Sequence, residues 1–236
     1  MVTRALLVLL LWLAASPGAA RCRLALAVAM DVSSSVDADE DVLQRSGIAS
    51  ALKSPEVQTA FLASPHRVAV AVYEWSGRYN QELLVDWTLI ETAADLERIA
   101  GQVQTSARSH NDFPTAMGYA LGYGATLLAR APTCDAQTID MAGDGQNNEG
   151  FGPAEAYAAF PFDGVTVNGL VVNGADFEAE TGLIAFYQTQ VIRGPAAFVE
   201  VAQGFEDYAR AMRRKLEREV TPPVVGGLYD RHGQGD

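Results

Sequence analysis

Hydrophobic positions along this chain fall into short continuous runs separated by stretches of helical length. The first run after the N-terminal region, Leu24-Ala25-Leu26-Ala27-Val28-Ala29-Met30, is apolar on both faces, as a strand covered on each side must be. Arg67 to Trp75 alternates Val68, Val70 and Val72 with Ala69 and Ala71 and predicts a second buried strand. Gln81 to Leu89 predicts a third, and the short turn around Ser76-Gly77-Arg78 makes the pair an antiparallel hairpin. Further strands are expected at Thr138 to Ala142, Val165 to Val172 and Ala197 to Val201, with room between them for crossover helices. The pattern is that of an α/β fold with a mostly parallel sheet.

The helical segments carry their own signals. Asp39 to Leu52 opens with acidic residues that suit a helix N-terminus, and Ala93 to Val103 follows Thr92 as a candidate cap. Thr115 to Arg130 places Met117, Leu121, Ala125 and Leu128 on one stripe. In Gln203 to Glu219 the residues Phe205, Tyr208, Ala209, Met212 and Leu216 form an apolar stripe, while Arg210, Arg213, Arg214 and Arg218 face away as a solvated surface. Their cations also suit the C-terminal end of the helix dipole. Residues 221–236 carry two prolines and four glycines with few apolar anchors, and a mobile tail is expected there.

The N-terminus changes the compartment. Arg4, the apolar stretch Ala5 to Ala15 and the small residues Gly18-Ala19-Ala20 predict a cleaved signal peptide over residues 1–20, too short in its apolar part to span a bilayer. Arg21 stands before Cys22 where a lipid-attachment site carries a small residue, so a soluble secreted or periplasmic product is expected, with no membrane insertion after cleavage. The domain then covers residues 21–220, large enough to bury one ordinary core. A formal net charge of −12 disfavours nucleic acid and anionic lipid as partners and favours a cation.

Two cysteines in an exported chain are expected to pair rather than stay as small buried thiols. Cys22 lies nine residues before Asp31 and Cys134 ten before Asp144, each at the start of an apolar strand. On parallel neighbours both cysteines fall at one end and both aspartates at the other.

Candidate chemistry gathers at that second end. Asp31-Val32-Ser33-Ser34-Ser35 ends a strand with a carboxylate and continues into a loop with hydroxyls at alternating positions, offering three hard oxygen ligands within five residues. Gly143-Asp144-Gly145-Gln146-Asn147-Asn148 has the freedom to turn a second carboxylate into the same crevice, at the carboxyl ends of the strands where open sheets bind ligands. Thr115, at the start of a helix after the loop Ser106 to Pro114, supplies a third element.

With these pieces the chain resembles the von Willebrand factor type A (vWA) domain and its metal-ion-dependent adhesion site. Asp31, Ser33 and Ser35 match the D-x-S-x-S element, Thr115 the separate threonine and Asp144 the last aspartate. The resemblance implies a Rossmann-like, doubly wound six-stranded sheet with one antiparallel edge strand and helices on both faces. It also implies a divalent cation, Mg²⁺ with Mn²⁺ or Ca²⁺ as alternatives, held by the Ser33, Ser35 and Thr115 hydroxyls and by Asp31 and Asp144 directly or through water. A protein partner then offers a Glu or Asp to the vacant coordination position. One departure stands out: Asn111-Asp112-Phe113-Pro114 leads into Thr115 where the family commonly has glycines, which stiffens the loop and adds Asp112 as a competing ligand. More narrowly, Tyr73-Glu74-Trp75-Ser76-Gly77, Asn168-Gly169-Leu170 and the basic last helix look like a family of bacterial exported proteins of unknown function.

The function expected from this resemblance is non-enzymatic, metal-dependent protein binding. A metal-assisted hydrolase using Asp31 or Asp144 as base, with His110 in the loop before Thr115 as the one nearby histidine, is a second reading. A scaffold merely stiffened by the ion is a third. No H-E-x-x-H, G-x-S-x-G or G-x-x-x-x-G-K-[ST] motif is present. Trp75 and Trp87 are expected in the core, with Phe113 and Phe151 as candidates for an aromatic rim.

Overall fold

The computed structural model describes residues 21–174 and 177–222, the side chains of 177–181 excepted. The leader expected over 1–20 lies outside the described residues, as does the tail expected from 221 apart from Thr221 and Pro222. The strands are β1 (Cys22–Asp31), β2 (Arg67–Trp75), β3 (Gln81–Ile90), β4 (Cys134–Gly143), β5 (Val165–Val172) and β6 (Val199–Ala202). They form one six-stranded sheet in the order β3-β2-β1-β4-β5-β6. Only the β2–β3 pair is antiparallel, which puts the hairpin's second strand at an edge.

Helices cover both faces: α1 (Ala38–Lys53), α2 (Pro55–Leu62), α3 (Ala93–Thr105), α4 (Met117–Ala129), α5 (Pro153–Ala159), α6 (Phe177–Phe186) and α7 (Tyr208–Val220). A π-helical turn, Tyr187–Val191, follows α6, and a short 3₁₀ turn, Phe205–Asp207, leads into α7. Two of the helices missing from the expected pattern begin with proline. Ser54 closes α1 and also caps α2, its hydroxyl accepting the Val57 N–H at 3.4 Å, and Pro55 sits where its missing N–H costs nothing. Pro153 opens α5 in the same way.

The alternation in β1 divides the core. Leu24, Leu26, Val28 and Met30 face a cluster built with α1, α2, α3 and α7, whereas Ala25, Ala27 and Ala29 face one built with α4 and the π turn. Small residues on the second face let α4 approach closely. A Cβ on Gly124 would stand 2.6 Å from the Tyr73 hydroxyl and 2.8 Å from Ile139. Tyr73 in turn donates to the Ala120 carbonyl at 3.0 Å.

Two expectations about packing are modified. Trp75 is fully buried, but Trp87, on the edge strand, is half-buried and donates its indole N–H to the Leu127 carbonyl at 3.1 Å. Three of the four arginines on the solvated face of α7 are also paired there: Arg210 with Asp207, Arg213 with Glu56 and Arg214 with Glu200.

At the end of the sheet away from the loops, Cys22 and Cys134 stand opposite one another in the β1–β4 register and form a disulfide across a Cα–Cα distance of 4.4 Å. Among the described residues, no helix is long and apolar enough to cross a membrane.

Candidate functional site

The carboxyl ends of β1 and β4, the two central strands, bring their loops together. β1 ends at Asp31, whose carbonyl accepts from the Gln44 amide of α1 at 2.7 Å, while Val32 N–H donates to the Trp75 carbonyl at 2.8 Å. The chain then turns on itself: Ser33 N–H donates to Asp31 Oδ1 at 2.8 Å, the local bond by which an aspartate closes a turn. Ser33 and Ser35 therefore project side by side, their hydroxyls 3.1 Å apart. Ser35 Oγ donates to Asp144 Oδ1 at 2.7 Å and Thr115 Oγ1 to Ser33 Oγ at 3.3 Å. All five residues of the expected constellation thus lie in one connected group, drawn from three loops.

Thr115 is positioned differently from the expectation. It stands two residues before α4, whose N-cap, Ala116, offers no side-chain cap. A reciprocal pair secures it instead: Thr115 N–H donates to Asn148 Oδ1 at 2.8 Å, and Asn148 N–H to the Thr115 carbonyl at 3.0 Å. Asn148 follows Asp144 in the same loop, so one contact fixes the threonine against the second carboxylate's loop. Asp112 is exposed and takes no part in the hydrogen bonds of the group.

Burial sets the electrostatics. Asp31 is pushed up to about 8 by loss of solvent and then by the Asp144 carboxylate, against the Ser33 bonds and the Arg108 cation. Asp144, half-buried, is also raised, chiefly by burial. Asp31 Oδ2 is buried and has no hydrogen-bond partner among the described residues. Gly143 leaves room for it: a Cβ there would stand 2.8 Å from Asp31 Oδ2 and 2.8 Å from the Tyr187 hydroxyl. The buried Tyr187 phenol is held neutral, its ionisation raised well above the ordinary value by burial and by Asp31 and Asp144.

Arg108 is the participant that the sequence pattern did not single out. Its guanidinium donates to the carbonyls of Val32 at 2.8 Å, Ser33 at 2.9 Å, Val36 at 2.7 Å and His110 at 2.7 Å. One cation therefore shapes the whole Asp31–Ser35 turn and ties it to the loop before Thr115. Beneath that loop, buried Glu74 accepts from Arg45 at 2.5 Å and from the backbone N–H of Ser109 at 2.8 Å, and Arg45 also donates to Asp41 at 2.8 Å. The only sequence signal for these residues was a glutamate at the end of an otherwise apolar strand.

The donor set suits a hard divalent cation. It consists of three hydroxyls and two carboxylates, with one buried carboxylate oxygen unpaired and two like charges that a cation would relieve. Among the described residues no three His, Cys, Asp or Glu side chains come together as a metal-binding group, so an ion here would depend on the hydroxyls. Around the group, Phe113 is exposed and meets His110 edge to face at 5.2 Å, while half-buried Phe151 stacks on Tyr119 at 4.0 Å.

Solved structures share this architecture. Proximal thread matrix protein 1 from the mussel byssus, in a form whose metal-ion-dependent adhesion site holds zinc, superposes with a TM-score of 0.60 at 16% identity over 83% of this chain and 48% of its own. A von Willebrand factor type A protein from Catenulispora acidiphila gives 0.54 at 15% identity over 85% and 43%. The pilus adhesin SpaC from Lactobacillus rhamnosus GG gives 0.59 at 14% over 84% and 31%. The chain spans less than half the length of each, and at these identities the likeness establishes the vWA fold. No curated protein matches the sequence. Residues 21–224 match the family described as "Protein of unknown function (DUF1194)", and the chain belongs to that family.

Proposed function

We propose that this chain is an exported, non-enzymatic protein-binding domain that captures an acidic residue of a partner through a divalent cation, Mg²⁺ first, with Mn²⁺ or Ca²⁺ as alternatives. The observation that carries the reading is the buried Asp31 Oδ2, without a hydrogen-bond partner among the described residues, beside a chain of hydroxyls that ends on a second carboxylate. Ser33, Ser35 and Thr115 would hold the ion, with Asp31 and Asp144 binding it directly or through water. The bound cation supplies an open coordination position that accepts a partner carboxylate, which a chain with a net charge of −12 would otherwise repel.

The chain's own residues do the rest. Arg108 and the Asn148–Thr115 pair hold the three loops in register, so that the oxygens converge before the ion arrives. Exposed Phe113 and Tyr79 offer apolar contact at the rim. The mussel byssus matrix protein and the pilus adhesin support the adhesion-type reading and an extracellular or periplasmic location.

The test is affinity capture from a periplasmic extract with wild type and Asp31→Ala, each in Mg²⁺ and in chelator, after calorimetric titration of Mg²⁺ alone into both. A partner retained only by wild type and released by chelator is expected. Unchanged Mg²⁺ affinity and unchanged partner binding in Asp31→Ala would refute the proposal.

A further inference from the structure

The sheet face covered by α7 holds a second group of polar residues, well removed in chemistry from the hydroxyl cluster. Asp140 of β4 and Asn168 of β5 are register partners, and Val28 of β1 faces Asp140 on its other side. α7 lays Lys215 and Glu219 over them. Asp140 and Lys215 have no solvent exposure, and the Glu219 side chain retains 1%. Lys215 Nζ lies 2.6 Å from Asp140 Oδ1 and 2.6 Å from Glu219 Oε1. Asn168 donates to Glu219 Oε1 at 2.7 Å, and Asn168 Oδ1 accepts the Phe198 N–H at 3.1 Å. The Phe198 ring stands 5.3 Å from Nζ, with the Arg218 guanidinium 3.7 Å from its centroid.

Two features separate this group from an ordinary buried ion pair. One ammonium serves two carboxylates in a site whose side chains are closed to solvent, so the ammonium and Asp140 meet without intervening water. The contact to Asp140 also has the distance of an ion pair without the alignment of a hydrogen bond, since neither Asp140 oxygen has a hydrogen-bond partner among the described residues. Burial and the Asp140 carboxylate push Glu219 up to about 7, so it can take and return a proton near neutral pH.

We propose that Lys215 and Asp140 condense to an intramolecular isopeptide bond, with Glu219 as the proton carrier. One proton moves from the Lys215 ammonium to Asp140, leaving a neutral amine beside a carboxylic acid. The Nζ lone pair attacks Asp140 Cγ, and the tetrahedral carbon forms the new C–N bond. Glu219 accepts a proton from Nζ and returns it to the departing hydroxyl, so one water leaves and Glu219 ends as it began. No oxidant or further reactant is needed. Asn168 is a positioning residue that fixes Glu219.

Intact mass spectrometry of the full, exported chain, denatured and with its disulfide reduced, decides the matter. With the N-terminus of the exported chain fixed by peptide mapping, a mass lower by one water than that of the processed sequence is expected, together with a branched tryptic peptide joining residues 131–193 to 215–218 and uncut after Lys215. Lys215→Met and Glu219→Gln should each restore the full mass, and Asp140→Asn should lose one ammonia instead. A wild-type chain at full mass would overturn the proposal, as would a loss that survives Lys215→Met, a branch on Glu219, or complete cross-linking in Glu219→Gln.

Discussion

Asp31→Asn gives the sharpest test of the site's electrostatics, because its predicted effect has the opposite sign to that of most core substitutions. In the native state burial and Asp144 push Asp31 up to about 8, against an ordinary value of 3.8. A carboxyl whose folded value is raised contributes stability that is complete below its unfolded value and lost as pH rises through its folded value. Without metal, the stability contributed by this group should therefore fall between about pH 4 and pH 8. Each pH step in that window costs about 1.4 kcal/mol, so the loss at pH 7 has an upper bound of about 4 kcal/mol, part of which Asp144 shares. Asparagine keeps the shape, still accepts the Ser33 N–H and does not ionise. In chelator at pH 8 the variant should exceed wild type, whereas at pH 4 the two should converge. Mg²⁺ at a hundred times its dissociation constant should add about 2.7 kcal/mol to wild type and little to the variant. Urea denaturation at pH 4, 6 and 8, with chelator and with Mg²⁺, measures all of these. If Asp31→Asn is as destabilised at pH 8 as at pH 4, or if chelated wild type shows no decline across the window, the electrostatic reasoning is wrong.

Arg108→Ala removes the donor to four carbonyls around the Asp31–Ser35 turn and should cost roughly 2–4 kcal/mol with a marked loss of Mg²⁺ affinity, read by denaturation and calorimetry. Gly143→Ala drives a methyl to 2.8 Å from Asp31 Oδ2 and the Tyr187 hydroxyl; a destabilisation of about 1–3 kcal/mol is expected, with Mg²⁺ binding weakened more than in a distant control such as Gly101→Ala. Cys22→Ser opens a cross-link between residues 112 apart in sequence and should cost on the order of 4 kcal/mol, measured as a lower urea midpoint at unchanged Mg²⁺ affinity.

Continuous apolar runs made most of the sheet readable. β2 and β5 have the bounds their valines and alanines mark, and the antiparallel edge follows from the length of one turn. Of the five expected ligands, Asp31, Ser33, Ser35 and Asp144 end or follow apolar runs and Thr115 precedes a helical stripe, and the fold brings these five together. Less legible were contacts that depend on distant partners. Arg108 looks like a loop cation until the carbonyls of Val32, Ser33 and Val36 are seen around it. The helical pattern singles out four arginines of α7 and gives no place to Lys215, which Asp140 and Glu219 hold in the interior. The local pattern records the hydrophobicity of a position but not the pairing that makes a buried charge tolerable. Pro55 shows the same limit: the helical pattern reads only as far as Leu52, while Pro55, capped by Ser54, begins α2.

The disulfide lies at the opposite end of the same two strands that carry Asp31 and Asp144. Mechanically, β1 and β4 are parallel neighbours held in shear, and a tug on either aspartate runs along a strand rather than across the ladder. Sliding one strand by a residue would have to stretch a covalent tie, so the rungs between them share the load instead of failing one at a time. Reduction would leave the loops in place at rest while weakening the molecule under tension, a difference that pulling experiments register and equilibrium binding does not.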